Sequence, residues 1–411
     1  MKENRLESSY KKIREANQGD FPRFSDQEYK RRFQRIREEM DRRNLDCLII
    51  YGNSTVASHG HANVRWVSNY ADVIQSYVVF PLKEPPTLFN TVHSQIPLAV
   101  SLSVLEDVRH GGDTNEMPNA VVRRIKELGF ERAKIGISGG DIRLCSSIPH
   151  NHFVTFQNNL PNATFLDATD LLQALRRVPS EEEMKWFEKG AALTDYAMDC
   201  LAKAIRPGAR GYELYGAIHS HLDRGGHPMF ALVGSTPMSN PTMSYPWYIP
   251  SNRAIEKGDI VITELSASYW GYGGQLCRVV ALGEPTKEYQ NLYKVALDVY
   301  KSIREILKPG NGPNEVLEIS ARIVEAGYTV QASVIHGWGM YVRPPFIKIP
   351  GYQTHLFDPE YRFQKDEILM VEPNPCTKDI CQGVFLGDIH RVTSEGGKPL
   401  QKFPIDFLVI D

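Results

Sequence analysis

The stretch VITELSASYWGYGGQLCRVVALGEP, residues 261–285, has the pattern of a β-hairpin with two unusual polar positions. Two apolar runs flank the segment Gly-Tyr-Gly-Gly, which predicts two short strands joined by a turn. Glu264 in the first strand and Gln275 in the second interrupt these apolar runs. An unpaired buried carboxylate costs several kcal/mol. The hairpin therefore indicates half of a metal site, the remains of one, or a different active site.

The composition is that of an ordinary soluble globular protein. The chain has 411 residues, of which 42% are hydrophobic and 23% charged, with a formal net charge of −2. This length predicts two domains. Lysine and arginine form no basic block, which argues against nucleic-acid binding. The charged N-terminus lacks the apolar segment of a signal peptide, and no long apolar run predicts a membrane span.

The six cysteines are scattered without the C-x-x-C spacing of a structural zinc site. Cys376 and Cys381 lie close together, but no second pair of His or Cys residues matches them. A reduced, cytoplasmic protein is the simplest interpretation.

The first part of the chain alternates strand and helix patterns. Three short apolar runs bounded by turn residues predict buried strands: CLIIYG (47–52), SYVVFPL (76–82) and AKIGISG (133–139). A helical pattern covers residues 120–130, and Ser25 with Glu28 forms a capping box that begins an earlier helix. This alternation predicts an α/β domain over residues 1–177.

A second domain, residues 178–411, is predicted to begin where Pro179 breaks the chain and Ser180 caps a new helix. Within it, IRPGARGYEL (205–214) and LKPGNGPNEV (307–316) align position for position between helical patterns. This repeat predicts two similar units, each with two helices and strands, related by a pseudo-twofold axis. A domain of this kind is expected to place its site between the halves.

Reactive side chains stand beside strand patterns at four places in the second domain. They are the hairpin with Glu264 and Gln275, SVIHGWGMYVRPP (333–345) with His336 and Arg343, EILMVEPNP (367–375) with Glu372, and GVFLGDIHRV (383–392) with Asp388 and His390. Each also has a structural explanation, such as a hydrogen-bonded core histidine, a turn cap or an exposed strand face. The four motifs follow one another within one domain, and in each of them the polar residues lie close to Gly or Pro. This arrangement favours a shared site.

In this order and spacing the motifs resemble the creatinase and aminopeptidase P family, which has the pita-bread fold. The resemblance covers nearly the whole chain and is carried by residues 249–285, HGWGM (336–340), VEPN (371–374) and GVFLGDIHRVT (383–393). It implies an α/β N-terminal domain followed by an α+β pita-bread domain, in which a curved antiparallel sheet has helices on its outside.

Peptidases of that family hold two divalent metal ions with Asp, Asp, His, Glu and Glu. By the resemblance, these positions here hold, in order, Glu264, Gln275, His336, Glu372 and Gly387. Trp247 and Arg343 stand where the peptidases have two further histidines. Two divalent ions need several anionic oxygens to offset about four positive charges. We therefore predict that the site uses no metal and no cofactor.

The function predicted from this set is a metal-independent, creatinase-like hydrolase or lyase acting on a C–N or other C–heteroatom bond of a small polar metabolite. Glu264, His336 and Glu372 are the catalytic candidates. Two carboxylates in one pocket repel, so the pKa of one rises, and a histidine can act as base or proton shuttle near neutral pH. Creatine hydrolysis itself is not supported, because Trp247 and Cys277 replace residues that act in creatinase.

Further side chains are candidates for substrate binding. Gln275 offers a donor and an acceptor to an amide-like or guanidine-like group, and Arg343 can grip a carboxylate. The aromatic candidates for the pocket wall are Trp247, Tyr248, Trp270 and Trp338. Cys277 is either a nucleophile or a packed core thiol.

Two alternatives remain open, a catalytically inactive pita-bread protein that binds a partner and a metal-dependent Xaa-Pro-type peptidase. The resemblance also implies a homodimer, in which the N-terminal domain of one subunit covers the pocket of the other. SHGHANVRWVSNY (58–70) matches the approaching part of that domain. His59, His61 and Arg65 are therefore candidates for a contribution in trans, with an ordinary surface loop as the alternative.

Overall fold

The computed structural model describes residues 2–54, 59–139 and 147–410. The chain divides into two compact units, Met1–Arg176 and Arg177–Asp411. Within the described ranges, no helix has the length and apolar character needed to cross a membrane. The cysteines in these ranges carry free thiols: Cys47, Cys200, Cys277, Cys376 and Cys381. Cys145 lies outside the described residues.

The N-terminal unit is a mixed β-sheet with helices packed against it. Its strands are β1 (Cys47–Asn53), β2 (Gln75–Pro81), β3 (Thr87–Asn90), β4 (Asp107–His110), β5 (Lys134–Ser138) and β6 (Thr164–Asp167). Its helices are α1 (Lys2–Ala16), α2 (Asp26–Arg42), α3 (Ala62–Ser68), α4 (Ile96–Leu102), α5 (Met117–Glu127), α6 (His150–Asn159) and α7 (Thr169–Leu175). The strand order is β4-β3-β2-β1-β5-β6. The predicted α/β class is confirmed.

The central strand β1 is apolar because both of its faces are covered. It pairs antiparallel with β2 and parallel with β5, and a core that includes Ile49, Val121 and Ile135 joins it to α5. Helix α5 begins at Met117, earlier than predicted, with Pro118 in its first turn. Proline fits there because its fixed φ suits the helix and the first turn needs no N–H donor.

The C-terminal unit contains two helix pairs and a large sheet. Its helices are α8 (Glu181–Ala204), α9 (Gly211–Ile218), α10 (Lys287–Ile306) and α11 (Pro313–Glu325). Its strands are β7 (His227–Pro237), β8 (Asp259–Tyr269), β9 (Tyr272–Gly273), β10 (Leu276–Leu282), β11 (Thr329–Val330), β12 (Ile335–Gly337), β13 (Arg343–Ile347), β14 (Ile368–Val371), β15 (Pro375–Cys376), β16 (Gly387–Thr393), β17 (Gly396–Pro399) and β18 (Leu408–Ile410). The predicted capping box of Ser180 and Glu183 begins α8.

The sheet of this unit has the strand order β13-β12-β14-β16-β10-β8-β7, with β17, β18 and β9 added beside it. Each half contributes one helix pair, α8 with α9 and α10 with α11, and each pair packs on its own apolar core. The halves join where Cys277 of β10 pairs with Gly387 of β16. The predicted pseudo-twofold α+β pita-bread domain is confirmed.

The stretch 261–285 folds as a hairpin, but its turn differs from the prediction. The tight turn is Trp270–Gly271, where φ is 51° and 85°. Two-residue hairpin loops favour positive φ at both central residues, and Gly271 adopts such a φ without a Cβ clash. Tyr272–Gly273 then pairs with the first strand as β9. The predicted Gly-Tyr-Gly-Gly turn, residues 271–274, therefore starts one residue too late and ends three residues too late.

Candidate active site

The candidate site lies where the two halves of the C-terminal sheet meet. Neighbouring strands supply its polar side chains: Glu264 lies on β8, Gln275 precedes β10, His336 lies on β12 and Glu372 follows β14. Successive residues of a strand face opposite sides of the sheet. Gln275 and Cys277 therefore share one face, and Cys277 lies opposite Glu264 in the hairpin register. The sheet thus brings residues from four separate sequence motifs onto one buried surface.

The Gln275 amide lies between the two carboxylates. Its Nε2 donates to Glu264 Oε1 at 2.7 Å and lies 3.4 Å from Glu372 Oε2. The amide oxygen, Gln275 Oε1, is buried and has no hydrogen-bond partner. A buried acceptor without a partner costs about 1–3 kcal/mol. An atom in that state is a natural contact point for a ligand.

Glu264 is a carboxyl group held in an apolar environment. Burial, together with the nearby charge of Glu372, raises the pKa of Glu264 to about 8. The Tyr245 hydroxyl donates to Glu264 Oε2 at 2.8 Å and opposes this rise. Glu264 is therefore mostly protonated at neutral pH and able to exchange a proton.

Tyr245 was not among the residues singled out in the sequence. Burial and the charges of Glu264 and Glu372 raise the pKa of Tyr245 far above its usual value, so its hydroxyl stays protonated and acts as a donor. It lies in a segment without regular structure, two positions before Trp247. No spacing rule connects such a residue to Glu264. The only signal in the sequence is the group of three aromatic residues Tyr245, Trp247 and Tyr248.

His336 and Glu372 form a buried pair, with His336 Nε2 3.2 Å from Glu372 Oε1. Burial alone would lower the pKa of His336, but the charge and hydrogen bond of Glu372 outweigh it and raise the pKa above its usual value. The other ring nitrogen, Nδ1, lies 3.0 Å from the Gly337 carbonyl oxygen. This pair keeps the imidazole in a fixed orientation and able to hold a proton.

Cys277 is fully buried, and its Sγ lies 4.0 Å from Glu372 Oε2. Burial first, and then the charges of Glu264 and Glu372, raise the pKa of the Cys277 thiol well above its usual value. A thiol in that state is a poor nucleophile, because the thiolate is the reactive form. The geometry therefore favours the core-thiol alternative.

Arg343 is buried with its donors directed at protein groups. Nη1 pairs with Glu367 Oε1 at 3.0 Å, and Nε donates to the Trp338 carbonyl at 3.1 Å. Nη2 donates to the carbonyl oxygens of Ile368 and Arg177. A substrate carboxylate would have to displace these contacts, so the predicted role of Arg343 in substrate binding stays a prediction.

The aromatic candidates divide into two groups. Trp338 is buried near His336, with ring centroids 5.9 Å apart, and its Nε1 donates to the Gly273 carbonyl at 2.7 Å. Trp247 is half-exposed, at 48% of its surface, and Tyr248 is exposed, at 76%. Only Trp338 therefore lies against the buried cluster. Trp270 is the first residue of the hairpin turn and lies against His227.

Asp388 and His390 face the opposite side of the sheet. Arg278 Nη2 pairs with Asp388 Oδ1 at 2.8 Å, and the Tyr300 hydroxyl of α10 donates to Asp388 Oδ2 at 2.7 Å. His390 Nε2 lies 3.1 Å from the same hydroxyl. These side chains form a closed network beneath the helices and are separate from the candidate site.

The segment proposed to act in trans is described in part. Residue 58 lies outside the described residues, and so does the side chain of His59. His61 is buried, with Nδ1 3.2 Å from Ser76 Oγ. Burial, with a smaller effect of Arg65, lowers the pKa of His61 to about 3. His61 is therefore a neutral core histidine of the N-terminal unit.

Comparison with known proteins gives the family. The model of metallopeptidase family M24 matches residues 185–394, about half of the chain. The chain belongs to this family. The model of the creatinase/prolidase N-terminal domain matches residues 32–178. The resemblance to the creatinase and aminopeptidase P family is thereby confirmed for this M24 protein.

Relatives of this M24 protein match over most of its length. An Xaa-Pro dipeptidase of Pyrococcus horikoshii is 24% identical over 375 residues, which cover 90% of this chain and 96% of the relative. An uncharacterised hydrolase/peptidase of Sinorhizobium fredii is 22% identical and covers 95% of this chain and 98% of its own. The solved prolidase from P. horikoshii superposes with a TM-score of 0.75 at 23% identity, covering 92% of this chain and all of that one.

These comparisons correct the predicted function. The prediction of a metal-independent, creatinase-like hydrolase or lyase is wrong: the matching family model describes metallopeptidases, and the similar proteins are named Xaa-Pro dipeptidase and prolidase. The prediction relied on the absence of metal-binding side chains at positions such as Gln275 and Gly387, where the peptidases of the family have carboxylates. The proteins that are similar over most of the chain are named as peptidases, which favours the peptidase alternative.

A pair of metal ions, as the family resemblance implies, does not fit this cluster. Glu264 and Glu372 are its only carboxylates in the described structure, and they cannot balance about four positive charges. Gly387 supplies no ligand, and a Cβ there would lie 2.6 Å from Met370 Cε and from the Val371 carbonyl oxygen. Among the described residues, no group of three or more His, Cys, Asp or Glu side chains is arranged to hold a metal ion.

Proposed function

We propose that this M24 protein is a hydrolase that cleaves the amide bond of a small dipeptide-type substrate, with Xaa-Pro dipeptides as the first candidates. The observation that carries the proposal is the convergence of Glu264, Gln275, His336 and Glu372 at the junction of the two half-sheets. The names of the similar proteins, Xaa-Pro dipeptidase and prolidase, support amide hydrolysis as the reaction class.

The residues of the cluster have properties that suit an amide substrate. Gln275 Oε1 is an acceptor without a partner and can take an N–H of the terminal amino group of the substrate, because the Xaa-Pro bond itself has no N–H. Glu264, with its raised pKa, can give a proton to the departing nitrogen. The pair of His336 and Glu372 can take the proton that a water molecule loses when its oxygen bonds to the carbonyl carbon. No step is assigned to a pair of metal ions, because the donors do not fit one.

The test is hydrolysis of Xaa-Pro dipeptides by the purified full-length chain, followed by the release of proline. Each dipeptide is assayed after chelator treatment and after addition of Mn²⁺, Co²⁺ or Zn²⁺. We expect turnover in at least one condition, and a loss of at least about 100-fold in kcat for Glu372→Gln. Glu395→Gln, an exposed position, is the matched control and should retain full activity.

Two results would contradict this proposal. One is the absence of turnover for every dipeptide in every metal condition. The other is unchanged turnover in Glu372→Gln, which would place the reaction elsewhere in the chain.

The proposal includes the predicted domain roles, assembly and location. Residues 178–411 would carry the reaction, residues 1–177 would cover the site of the other subunit in a homodimer, and the protein would work in the cytoplasm. The family resemblance supports the dimer, and the free thiols of the described cysteines suit a reducing compartment. Sedimentation equilibrium tests the assembly, and a monomer at micromolar concentration would contradict it.

A further inference from the structure

We infer that the buried cluster of Glu264, Gln275, His336 and Glu372 accepts at most one divalent cation, and that Gln275 sets this limit. The inference rests on the proposed function because it concerns the same site. It departs from the two-metal arrangement that the family resemblance implies, and it follows from three features of the described residues.

The first feature is the position of the Gln275 amide group. Its NH₂ lies 2.7 Å from Glu264 Oε1 and 3.4 Å from Glu372 Oε2, so its partly positive hydrogens separate the two buried carboxylates. A bridging cation would need the same space and would offset the same repulsion. The amide is 1% exposed and cannot leave the cluster for solvent without a change in the surrounding side chains.

The second feature is the use of both oxygens of Glu264. Oε1 accepts from Gln275, and Oε2 accepts from the Tyr245 hydroxyl at 2.8 Å. Two ions bound at this carboxylate would have to displace both donors. A single ion needs to displace only one of them, and it can gain the unpartnered Gln275 Oε1 as a neutral oxygen ligand if the amide rotates.

The third feature is the filled space at Gly387. A Cβ at this position would lie 2.6 Å from Met370 Cε and 2.9 Å from Glu372 Cβ. No acidic side chain can therefore reach the cluster from β16. The charge available for cations is limited to the two carboxylates, which balance one divalent ion.

The test measures binding of Mn²⁺ or Zn²⁺ alone to the chelator-treated full-length protein by equilibrium dialysis and elemental analysis. Ions still bound by the double variant Glu264→Gln/Glu372→Gln are subtracted as ions bound elsewhere. We expect at most one cluster ion per chain, and two ions per chain would overturn the inference. Substrate is absent, so this failure is distinct from failure of the dipeptide assay.

The role of Gln275 is tested with the isosteric variant Gln275→Glu, which replaces the NH₂ donor by an oxygen and so adds a third carboxylate to the cluster. We expect at least one more bound ion than in the wild type and a rise in Tm of about 5 °C at saturating Mn²⁺. The matched control is Gln75→Glu, at a buried glutamine of the N-terminal unit that contacts Tyr51 and Thr114. It should gain neither.

An equal gain in both variants, or no gain in Gln275→Glu, would overturn the assignment of the limit to Gln275. If Gln275→Glu fails to fold, the stoichiometry of the wild type still decides whether the cluster holds more than one ion.

Discussion

Around the junction of β10 and β16 the sheet has buried carboxylates on both of its faces, and the two faces can be compared residue by residue. On the helix side, Asp388 meets Arg278, whose guanidinium also donates to the carbonyl oxygens of Cys277, Gly387, Phe403 and Pro404. All five donors of this arginine are used. The buried charge of Asp388 is therefore matched by an opposite charge and by a full set of hydrogen bonds.

On the other face, Glu264 and Glu372 share a neutral amide and one histidine, and no arginine or lysine contacts either carboxylate in the described structure. The result is a raised pKa at Glu264 and an unpartnered acceptor at Gln275. The buried charges are therefore balanced on the face of Asp388 and unbalanced on the face of the candidate site. Unbalanced buried charge costs stability, and perturbed groups of this kind cluster at functional sites.

The largest expected effect lies on the balanced face. Arg278→Met should lower the free energy of unfolding by about 3–5 kcal/mol, because it leaves the buried Asp388 carboxylate without its partner. Urea denaturation of the full chain measures the loss. The control is Arg206→Met, at an exposed ion pair with Glu213, which should leave stability nearly unchanged. Equal losses in the two variants would remove the distinction between the faces.

The next effect is a dependence of stability on pH that arises at Glu264. Its folded pKa of about 8 lies above the ordinary value of 4.5, so the folded state keeps a proton that the unfolded state releases. The contribution is full below about pH 4.5 and is lost as the pH rises through about 8. In chelator-treated protein, the wild type should lose on the order of 2–4 kcal/mol more than Glu264→Gln between pH 5 and 9.

Urea titrations of both proteins at pH 5, 7 and 9 make this measurement. The raised pKa of His336 acts in the same direction and is present in both proteins. Glu264 is the smallest of its causes, after burial, Glu372 and the Gly337 carbonyl, so most of the difference between the two proteins comes from Glu264. Parallel pH profiles would show that Glu264 is not protonated in the folded state.

His390, on the balanced face, should give the opposite dependence. Burial lowers the pKa of His390 to about 4, so only the unfolded state takes up a proton below the ordinary value of 6.5. Stability is then lost as the pH falls from 6.5 towards 4. The loss should be about 2–3 kcal/mol smaller in His390→Asn than in the wild type, as measured by urea denaturation at pH 7 and 4.

The control for this measurement is His355→Asn, at an exposed histidine, which should follow the wild type. A His390→Asn profile identical to that of the wild type would show that His390 is charged in the folded protein.

The sequence predicted the elements of both faces better than the contacts between them. Helix α8 begins directly after Ser180, as predicted, because a helix cap is a local property of the sequence. The polar positions of the site stand out for the same reason, since each interrupts an apolar strand. The hydrogen-bond partners of these residues come from distant segments, and no local pattern in the sequence identifies them. Arg343 meets Glu367 and Tyr361, 24 and 18 positions further along, and no periodicity links them.

The function was the part that local reasoning predicted wrongly. Counting lost ligands at Gln275 and Gly387 described the cluster's charge, and the charge does argue against a pair of metal ions. It does not determine the reaction class, and the proposal of amide hydrolysis rests instead on the similarity of most of the chain to peptidases. The chemistry of the residues limits what the site can bind, whereas the similarity of the chain to known proteins supports the proposed class of reaction.

The smallest expected effect concerns Tyr245, which joins the site face to an irregular segment. Tyr245→Phe removes the donor to Glu264 Oε2 and should cost about 1–3 kcal/mol of stability, because a buried acceptor loses its partner. The same hydrogen bond opposes the rise in the pKa of Glu264, so this pKa should move further up. Any limb of the pH–rate profile that reports Glu264 should then shift to higher pH. Tyr248→Phe, at an exposed side chain of the same segment, is the matched control and should leave stability and the profile unchanged. If Tyr245→Phe also leaves both unchanged, Glu264 is insensitive to its surroundings, and the contrast between a balanced and an unbalanced face no longer explains its properties.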